Sequence, residues 1–211
     1  DHRDLHLSIR RQRQMCIRDS VKRQDSVSPG GGWPVDAKVN RKVMIYGINQ
    51  SVVNDALWKG KMSDALKAIP SMSLVSSLDH WFDPSDGLYA NPREQGKKTE
   101  IPGSLELINP DGTEGFHVNA GIRIRGGYSS TPRNPKHSYR LFFRSEYGDA
   151  KLKYPLFGKE GVDEFDKIDL RTSQNHSWVF ENSRRNTFLR DIFCRDLQGK
   201  SGHHYTKSRY Y

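Results

Sequence analysis

Alternation of apolar and polar residues is the clearest pattern in the middle of the chain. Every second residue of one segment is apolar, at Phe116, Val118, Ala120, Ile122 and Ile124. Successive side chains of a β-strand point to opposite faces, so this alternation predicts a strand that buries one face. A second alternating segment, with Tyr139, Leu141 and Phe143, follows a loop at residues 126–137. The two segments are predicted to form an antiparallel hairpin with a long loop.

Helical periodicity occurs in two other segments. One stripe of apolar residues ends just before Pro70 and consists of Trp58, Met62, Ala65, Leu66 and Ile69. A second stripe consists of Phe188, Leu189, Ile192, Phe193 and Leu197. This spacing is typical of amphipathic helices. With further strand signals at residues 72–76, 104–108 and 165–173, the chain is predicted to have an α+β fold, in which flanking helices accompany a mostly antiparallel sheet.

The N-terminal region differs from the rest of the chain. Residues 1–34 show neither the alternation of a strand nor the periodicity of a helix, and they end in a Gly- and Pro-rich run. We therefore interpret them as a disordered or non-native segment and linker. The stretch RQRQMCIRDS resembles translated sequencing-adaptor sequence, which predicts that residues 1–20 are foreign to the protein. The alternative is a basic, disordered arm. Residues 35–69 form a lead-in segment with the first helix, and residues 70–211 form the main domain.

Composition narrows the classes of function. The net charge is +9, but residues 1–23 contribute seven Lys and Arg against three Asp, so the remainder carries only +5. Nucleic-acid affinity is therefore weakly indicated. Cys16 and Cys194 lie far apart and are predicted to be free thiols, without a zinc-binding spacing. No apolar run is long enough to predict a transmembrane helix.

The predicted hairpin gathers basic side chains on one face. Burial of Ile122 and Ile124 directs Arg123 and Arg125 to the opposite face together. The returning strand does the same with its arginines, Arg140 and Arg144. Directly opposed like charges cost up to about 1 kcal/mol per pair unless an anion lies between them. The alternatives are an internal carboxylate such as Asp169, an external polyanion, or simple solvation of the face.

The loop at residues 126–137 favours an external anion. Gly126 and Gly127 allow backbone N–H groups to approach a ligand closely. Hydroxyl donors follow at Ser129, Ser130 and Thr131, and Lys136 offers a point charge to a phosphate group. The glycine spacing is neither that of the kinase glycine-rich loop nor a Walker motif.

Three segments together resemble the spore coat protein H (CotH) kinase-like family. They are GIRIRGGYSSTPRNPKHSYRLFFRSEYGDAKLKYPLF, FDKIDLRTSQNHSW and NTFLRDIFCRDL, and the match covers residues 70–211. The resemblance implies the nucleotide-binding half of an atypical protein-kinase-like fold. It also implies ATP and Mg²⁺ as cofactors, a protein substrate with a Ser or Thr acceptor, and an extracellular or cell-surface location.

The resemblance matches Arg125 and Gly126 to the family's Arg-Gly motif, Ser129 or Ser130 to its loop serine, and Lys136 to a lysine near the ATP phosphates. Together with the loop chemistry, it predicts an ATP-binding set of Arg123, Arg125, Gly126, Gly127, Ser129, Ser130 and Lys136. Asp191 matches the Leu-Arg-Asp signature of the second helix and is a candidate for the acid that orients the lysine. The alternative for Asp191 is a surface ion pair with Arg195, four residues further along the helix.

The family's chain continues beyond SRYY into a lobe that supplies the metal-binding aspartates and the catalytic base. The resemblance therefore implies a partial domain that is inactive as given, with the metal ligands outside it. We also expect exposed apolar surface near residues 186–197. The alternative functions are a non-catalytic cell-surface or adhesion module and, less favoured, a nucleic-acid-binding module that uses Tyr128 and Phe142 for stacking.

Overall fold

The computed structural model describes residues 38–39, 42–43, 50–132, 134, 136–173 and 187–211. Within these ranges the α-helices are α1 (Gln50–Val53), α2 (Met62–Lys67), α3 (Leu78–Phe82) and α4 (Arg190–Lys200). The strands are β1 (Lys38–Val39), β2 (Lys42–Val43), β3 (Ser71–Val75), β4 (Ile101–Ile108), β5 (Glu114–Arg125), β6 (Ser138–Phe142), β7 (Leu152–Lys153), β8 (Glu164–Phe165) and β9 (Lys167–Leu170). The segment predicted at residues 1–34 lies outside the described residues.

Five strands form the main sheet, in the order β3-β4-β5-β6-β9. The pairs β3–β4, β5–β6 and β6–β9 are antiparallel, which confirms the predicted α+β fold with a mostly antiparallel sheet. The hairpin of β5 and β6 is confirmed as well. Two short antiparallel pairs, β1–β2 and β7–β8, lie outside this sheet.

The chain divides into two compact units. The described residues up to 91, residues 101–120 and residue 211 belong to the first, whereas residues 92–100 and 121–210 belong to the second. Strand β5 contributes to both. The first unit buries mainly apolar residues, which are Leu88, Ile101, Leu105, Leu107, Ile108, Val118 and Ala120. The buried apolar residues of the second unit are Ile122, Leu141, Phe143, Leu152 and Leu156.

Residues 104–108 alternate between polar and apolar side chains, but both faces of strand β4 are buried. Leu105 and Leu107 are buried as the pattern predicts, but Ser104 and Glu106 are also only 2% exposed. The Ser104 hydroxyl lies 2.8 Å from His117 Nε2 and donates a hydrogen bond to Asn119 Oδ1 at 3.1 Å. A buried hydroxyl needs such partners, and neighbouring β5 supplies them.

The first predicted helix is shorter than its apolar stripe. Only Met62–Lys67 is α-helical, and Trp58 is 48% exposed instead of buried. Asp55 Oδ1 accepts a hydrogen bond from Leu57 N at 2.8 Å, and Lys61 N donates to Trp58 O in a tight turn. An Asp side chain that bonds to the nearby backbone competes with the helix, and this explains the late start.

The second predicted helix is present as α4, and the predicted exposure of its apolar stripe is confirmed. Leu189, just before the helix, is 62% exposed, and Phe193 and Leu197 within it are 65% and 53% exposed. These residues are four positions apart and therefore lie on one side of the helix. No residue of α4 is buried.

Candidate anion-binding site

The strand register brings together the basic residues predicted on one face of the hairpin. Arg123 of β5 lies directly opposite Arg140 of β6, and Arg125 lies opposite Ser138. Arg140 in turn lies opposite Asp169 of β9. Side chains directly opposite each other on neighbouring strands project to the same face. Two guanidinium groups and one carboxylate therefore form a row across this part of the sheet.

Asp169 is the counter-ion of two arginines. Its Oδ1 accepts a hydrogen bond from Arg140 Nε at 2.7 Å, and its Oδ2 accepts one from Arg140 Nη2 at 3.1 Å. Arg125 Nη1 lies 3.0 Å from the same Oδ2. The hydrogen bond to Asp169 raises the pKa of Arg140. An internal carboxylate at Asp169 was one of the alternatives predicted from the sequence, and these contacts confirm it.

Glu100 is a second counter-ion, which sequence reasoning missed. Its side chain is only 1% exposed. Oε2 lies 2.6 Å from Arg123 Nε and 3.4 Å from Arg144 Nη2. Oε1 accepts a hydrogen bond from the Tyr147 hydroxyl at 3.0 Å. Burial and this hydrogen bond raise the pKa of Tyr147 to about 12. Both oxygens have partners, as a buried carboxylate requires.

Gly121 makes room for the Glu100 carboxylate. A Cβ atom at this position would lie 2.4 Å from Glu100 Oε1 and 2.6 Å from the Tyr147 ring. Any side chain here would displace the hydrogen-bonded pair, so the close approach requires glycine. A glycine inside an alternating strand indicates that another group comes close to the backbone. Gly121 is therefore the signal in the sequence that could have indicated a neighbour such as Glu100.

The shared carboxylates leave an excess of positive charge. The two carboxylates contact four guanidinium groups, those of Arg123, Arg125, Arg140 and Arg144. Four positive and two negative groups give a net charge of +2. Arg144 also lies 3.8 Å from Glu146, which pairs with Lys97. This additional pair is neutral and leaves the excess unchanged.

Phe142 provides an aromatic surface for two of the arginines. The guanidinium carbon of Arg123 lies 4.2 Å from the ring centroid, and that of Arg144 lies 4.8 Å from it. Both distances are within the range of cation–π attraction. Arg123 is thus held by a carboxylate and by an aromatic ring, which restricts the positions its guanidinium group can adopt.

A pocket of about 270 Å³ lies beside this cluster. Its wall on the sheet includes Arg123, Arg125, Arg140 and Phe142. The loop after β5 contributes Gly126, Gly127 and Ser130, and the segment before Glu100 contributes Pro92, Glu94, Gln95, Gly96 and Thr99, of which Glu94 is paired with Lys98 at 2.8 Å. Five of the seven residues predicted to bind ATP are therefore brought together at one pocket.

The loop is held by its own hydrogen bonds. Gly126 has φ = +96°, a conformation that favours glycine, and its carbonyl accepts a hydrogen bond from Ser130 N at 3.1 Å. The Ser130 hydroxyl donates to Gly127 O at 2.9 Å. At Gly127 an added Cβ would meet no atom within 4 Å, so the backbone there faces open space.

Ser129 lies at the base of the loop, where its hydroxyl has a structural partner. The hydroxyl oxygen accepts a hydrogen bond from Ser138 N at 2.8 Å. The Ser129 carbonyl lies 2.6 Å from His137 Nδ1, which must carry the proton because a carbonyl can only accept. Burial lowers the pKa of His137. Ser129 thus closes the loop, and its predicted role in binding ATP stays a prediction.

Two predicted residues lie elsewhere. Lys136 is exposed, two positions before β6, and is not among the described residues that line the pocket. Asp191 of α4 pairs with Arg195 at 3.2 Å, which is the alternative contact predicted for it, and with Arg171 at 2.5 Å. Arg171 directly follows β9, so this ion pair joins the strand and helix signatures quoted above.

The described part of the chain has neither a metal-binding cluster nor a membrane-spanning helix. There, no group of three or more His, Cys, Asp or Glu is arranged to hold a metal ion. None of the helices in these ranges has the length and apolar character needed to cross a bilayer.

Comparisons with protein-family models, with curated proteins and with solved structures gave no significant match. The resemblance to the CotH kinase-like family therefore stays a prediction from the sequence motifs.

Proposed function

We propose that the pocket binds phosphate groups, and that the chain is the nucleotide-binding part of an ATP-dependent protein kinase similar to the CotH family. The observation that carries this proposal is the sharing of two carboxylates among four arginines, which leaves a net charge of +2 beside a glycine loop. Phosphate is the common biological anion that matches such a site in charge and in hydrogen-bonding capacity.

The geometry of the arginines supports a phosphate ligand. Each guanidinium group has five N–H donors, and Glu100 or Asp169 uses one or two of them on each arginine that lines the pocket. The remaining donors can bind phosphate oxygens. Gly127, with open space around its Cα, would allow a phosphate to approach the backbone.

The residues of the cluster fit ATP better than they fit Mg²⁺. The arginines fit the phosphates of ATP, which would supply the phosphoryl group for a Ser or Thr of a coat or surface protein outside the cell. Glu100 and Asp169 do not fit a Mg²⁺ site, because two guanidinium groups already contact each carboxylate. We therefore assign no metal ligand among them.

A non-catalytic surface or adhesion module is the second candidate function. It is favoured by the pairing of all four arginines with carboxylates of the same chain, and by the fact that Lys136 is not among the described residues that line the pocket. In such a module the cluster would stabilise the sheet, and replacement of Lys136 would have no effect on ligand binding.

Calorimetric titration of the full chain with ATP, with and without Mg²⁺, distinguishes the candidates. We expect Arg125→Ala to weaken ATP binding about fivefold or more, because it removes one positive charge from the pocket wall. Lys136→Ala tests whether that lysine, which is not among the described lining residues, contributes to the site. Lys153→Ala is the control, since Lys153 pairs with Glu164 on β8. Thermal melts of all variants report whether they fold.

Absence of ATP binding by the folded wild-type chain would overturn the kinase proposal and favour the surface module. Unchanged affinity in the Lys136→Ala variant alone would remove that lysine from the site. Binding of single-stranded DNA that falls steeply with salt would instead favour the nucleic-acid module.

A further inference from the structure

We propose that Asp169 limits the preference of the pocket for highly charged ligands. Its carboxylate lowers the positive charge of the arginine cluster, so that the advantage of a bare polyphosphate over a single phosphate group or a charge-neutralised nucleotide is smaller than it would be without Asp169. This inference rests on the proposed phosphate-binding function, because it concerns the ligand of the same pocket.

The position of Asp169 allows it to act on the ligand through two arginines. It lies on β9, directly opposite Arg140, and contacts both Arg140 and Arg125. Both arginines line the pocket, whereas Asp169 is not among the described lining residues. The carboxylate therefore holds the two guanidinium groups side by side and leaves their remaining donors for a ligand.

The two carboxylates of the cluster differ in what the loss of their charge would affect. The Glu100 side chain is 1% exposed and has the Tyr147 hydroxyl as an additional donor, so its removal would disturb the packing around it. The Asp169 side chain is 27% exposed, and within the described residues it forms ion pairs with the two pocket arginines. A change of charge at Asp169 therefore acts mainly on those two arginines.

Simple electrostatics gives the direction of the effect. With Asp169 ionised, the cluster carries +2; without that charge it carries +3. Because the attraction grows with the product of the two charges, the added charge strengthens the binding of every anion and that of the most highly charged anions most. At a separation of about 6 Å in a water-like dielectric, one unit of charge changes the affinity for a dianion about tenfold.

The test compares wild type with Asp169→Asn, which keeps an oxygen to accept from Arg140 but removes the charge. Calorimetry at pH 8 measures binding of inorganic phosphate, pyrophosphate and tripolyphosphate without metal. We expect Asp169→Asn to raise phosphate affinity about tenfold and tripolyphosphate affinity about a hundredfold. Asp169→Glu, which keeps the charge, should stay near wild type.

Glu164→Gln is the matched control. Glu164 is also a carboxylate between two cations, Lys151 at 3.3 Å and Lys153 at 3.8 Å, and it is not among the described pocket residues. The Glu164→Gln substitution changes the net charge by the same amount as Asp169→Asn. We expect the affinities for phosphate, pyrophosphate and tripolyphosphate to stay within about twofold of wild type.

The outcomes separate this inference from the proposed function. If wild type binds these anions and folded Asp169→Asn binds them equally well or more weakly, the inference alone is overturned. A carboxylate that only positions the arginines would give that result. Absence of binding by wild type and by both variants would overturn the phosphate-binding proposal as well. Binding by Asp169→Asn but not by folded wild type would overturn the phosphate-binding proposal, because the native pocket would then not bind phosphate.

Discussion

Glu100 and Asp169 each contact two arginines of the second unit, but they differ in their exposure to solvent. The Glu100 side chain is 1% exposed, whereas the Asp169 side chain is 27% exposed. A buried ion pair that loses one partner leaves an uncompensated charge in a poorly solvated place, whereas water can replace a lost partner near the surface. The same arrangement of charges is therefore a structural requirement at Glu100 and an adjustable feature at Asp169.

The largest expected effect comes from removing the buried carboxylate. Glu100→Ala leaves Arg123 and Arg144 without their shared counter-ion and opens a cavity beside Gly121, so we expect a loss of about 3–5 kcal/mol in the free energy of unfolding. Urea denaturation measures this loss. Glu164→Ala is the control and should cost less than about 1 kcal/mol, since its ion pairs are exposed. Equal losses for the two variants would contradict the comparison.

A second way to break the buried cluster is to fill the space at Gly121. The methyl group of Gly121→Ala would lie 2.4 Å from Glu100 Oε1. We expect a cost of about 1–3 kcal/mol, because overpacking displaces the carboxylate and its tyrosine partner. Gly127→Ala is the matched variant, since an added Cβ there meets no atom within 4 Å. It should melt like wild type and weaken only ligand binding; a large change in its melting temperature would be inconsistent with this account.

A smaller effect is expected from the tyrosine that distinguishes Glu100 from Asp169. Tyr147→Phe removes the hydrogen bond to Oε1 and should cost about 1 kcal/mol, as measured by urea denaturation. The pKa of Tyr147 is raised from 10 to about 12 in the folded state. Above pH 10 the unfolded chain therefore loses this proton first, so stability is full below pH 10 and declines between pH 10 and 12. The Phe variant should lack this part of the decline, and an identical decline would argue against the assignment.

The smallest effect on stability is expected at Asp169. Asp169→Asn should change the free energy of unfolding by no more than about 1 kcal/mol, because the partly exposed arginines remain solvated and keep one acceptor. Thermal and urea melts measure this change. A loss as large as that of Glu100→Ala would show that exposure does not separate the two carboxylates.

Local patterns predicted the hairpin and its basic face well. The alternation in residues 116–124 depends only on the two-residue period of a strand, so it identified β5 and directed Arg123 and Arg125 to one face without tertiary information. The same reasoning could name Asp169 as a possible internal counter-ion, because Asp169 lies on a strand that the sequence pattern identified.

Contacts between distant parts of the chain could not be predicted in this way. Glu100 lies 23 residues from Arg123, 44 from Arg144 and 47 from Tyr147. It lies in a polar segment without periodicity, so no local rule distinguished it from a solvated glutamate. Similarly, the apolar stripe from Trp58 to Ile69 did not reveal that the helix begins only at Met62.

The sequence by itself determined the order of the central strands along the chain, the face on which the arginines lie and the glycines of the loop, because these depend on the geometry of neighbouring residues. Only the tertiary structure decided that Glu100 would be buried against Arg123, and that Asp169 would stay near solvent. It also decided that Lys136 is not among the described residues that line the pocket. Burial depends on which distant segments pack together, and the two carboxylates owe their different roles to it.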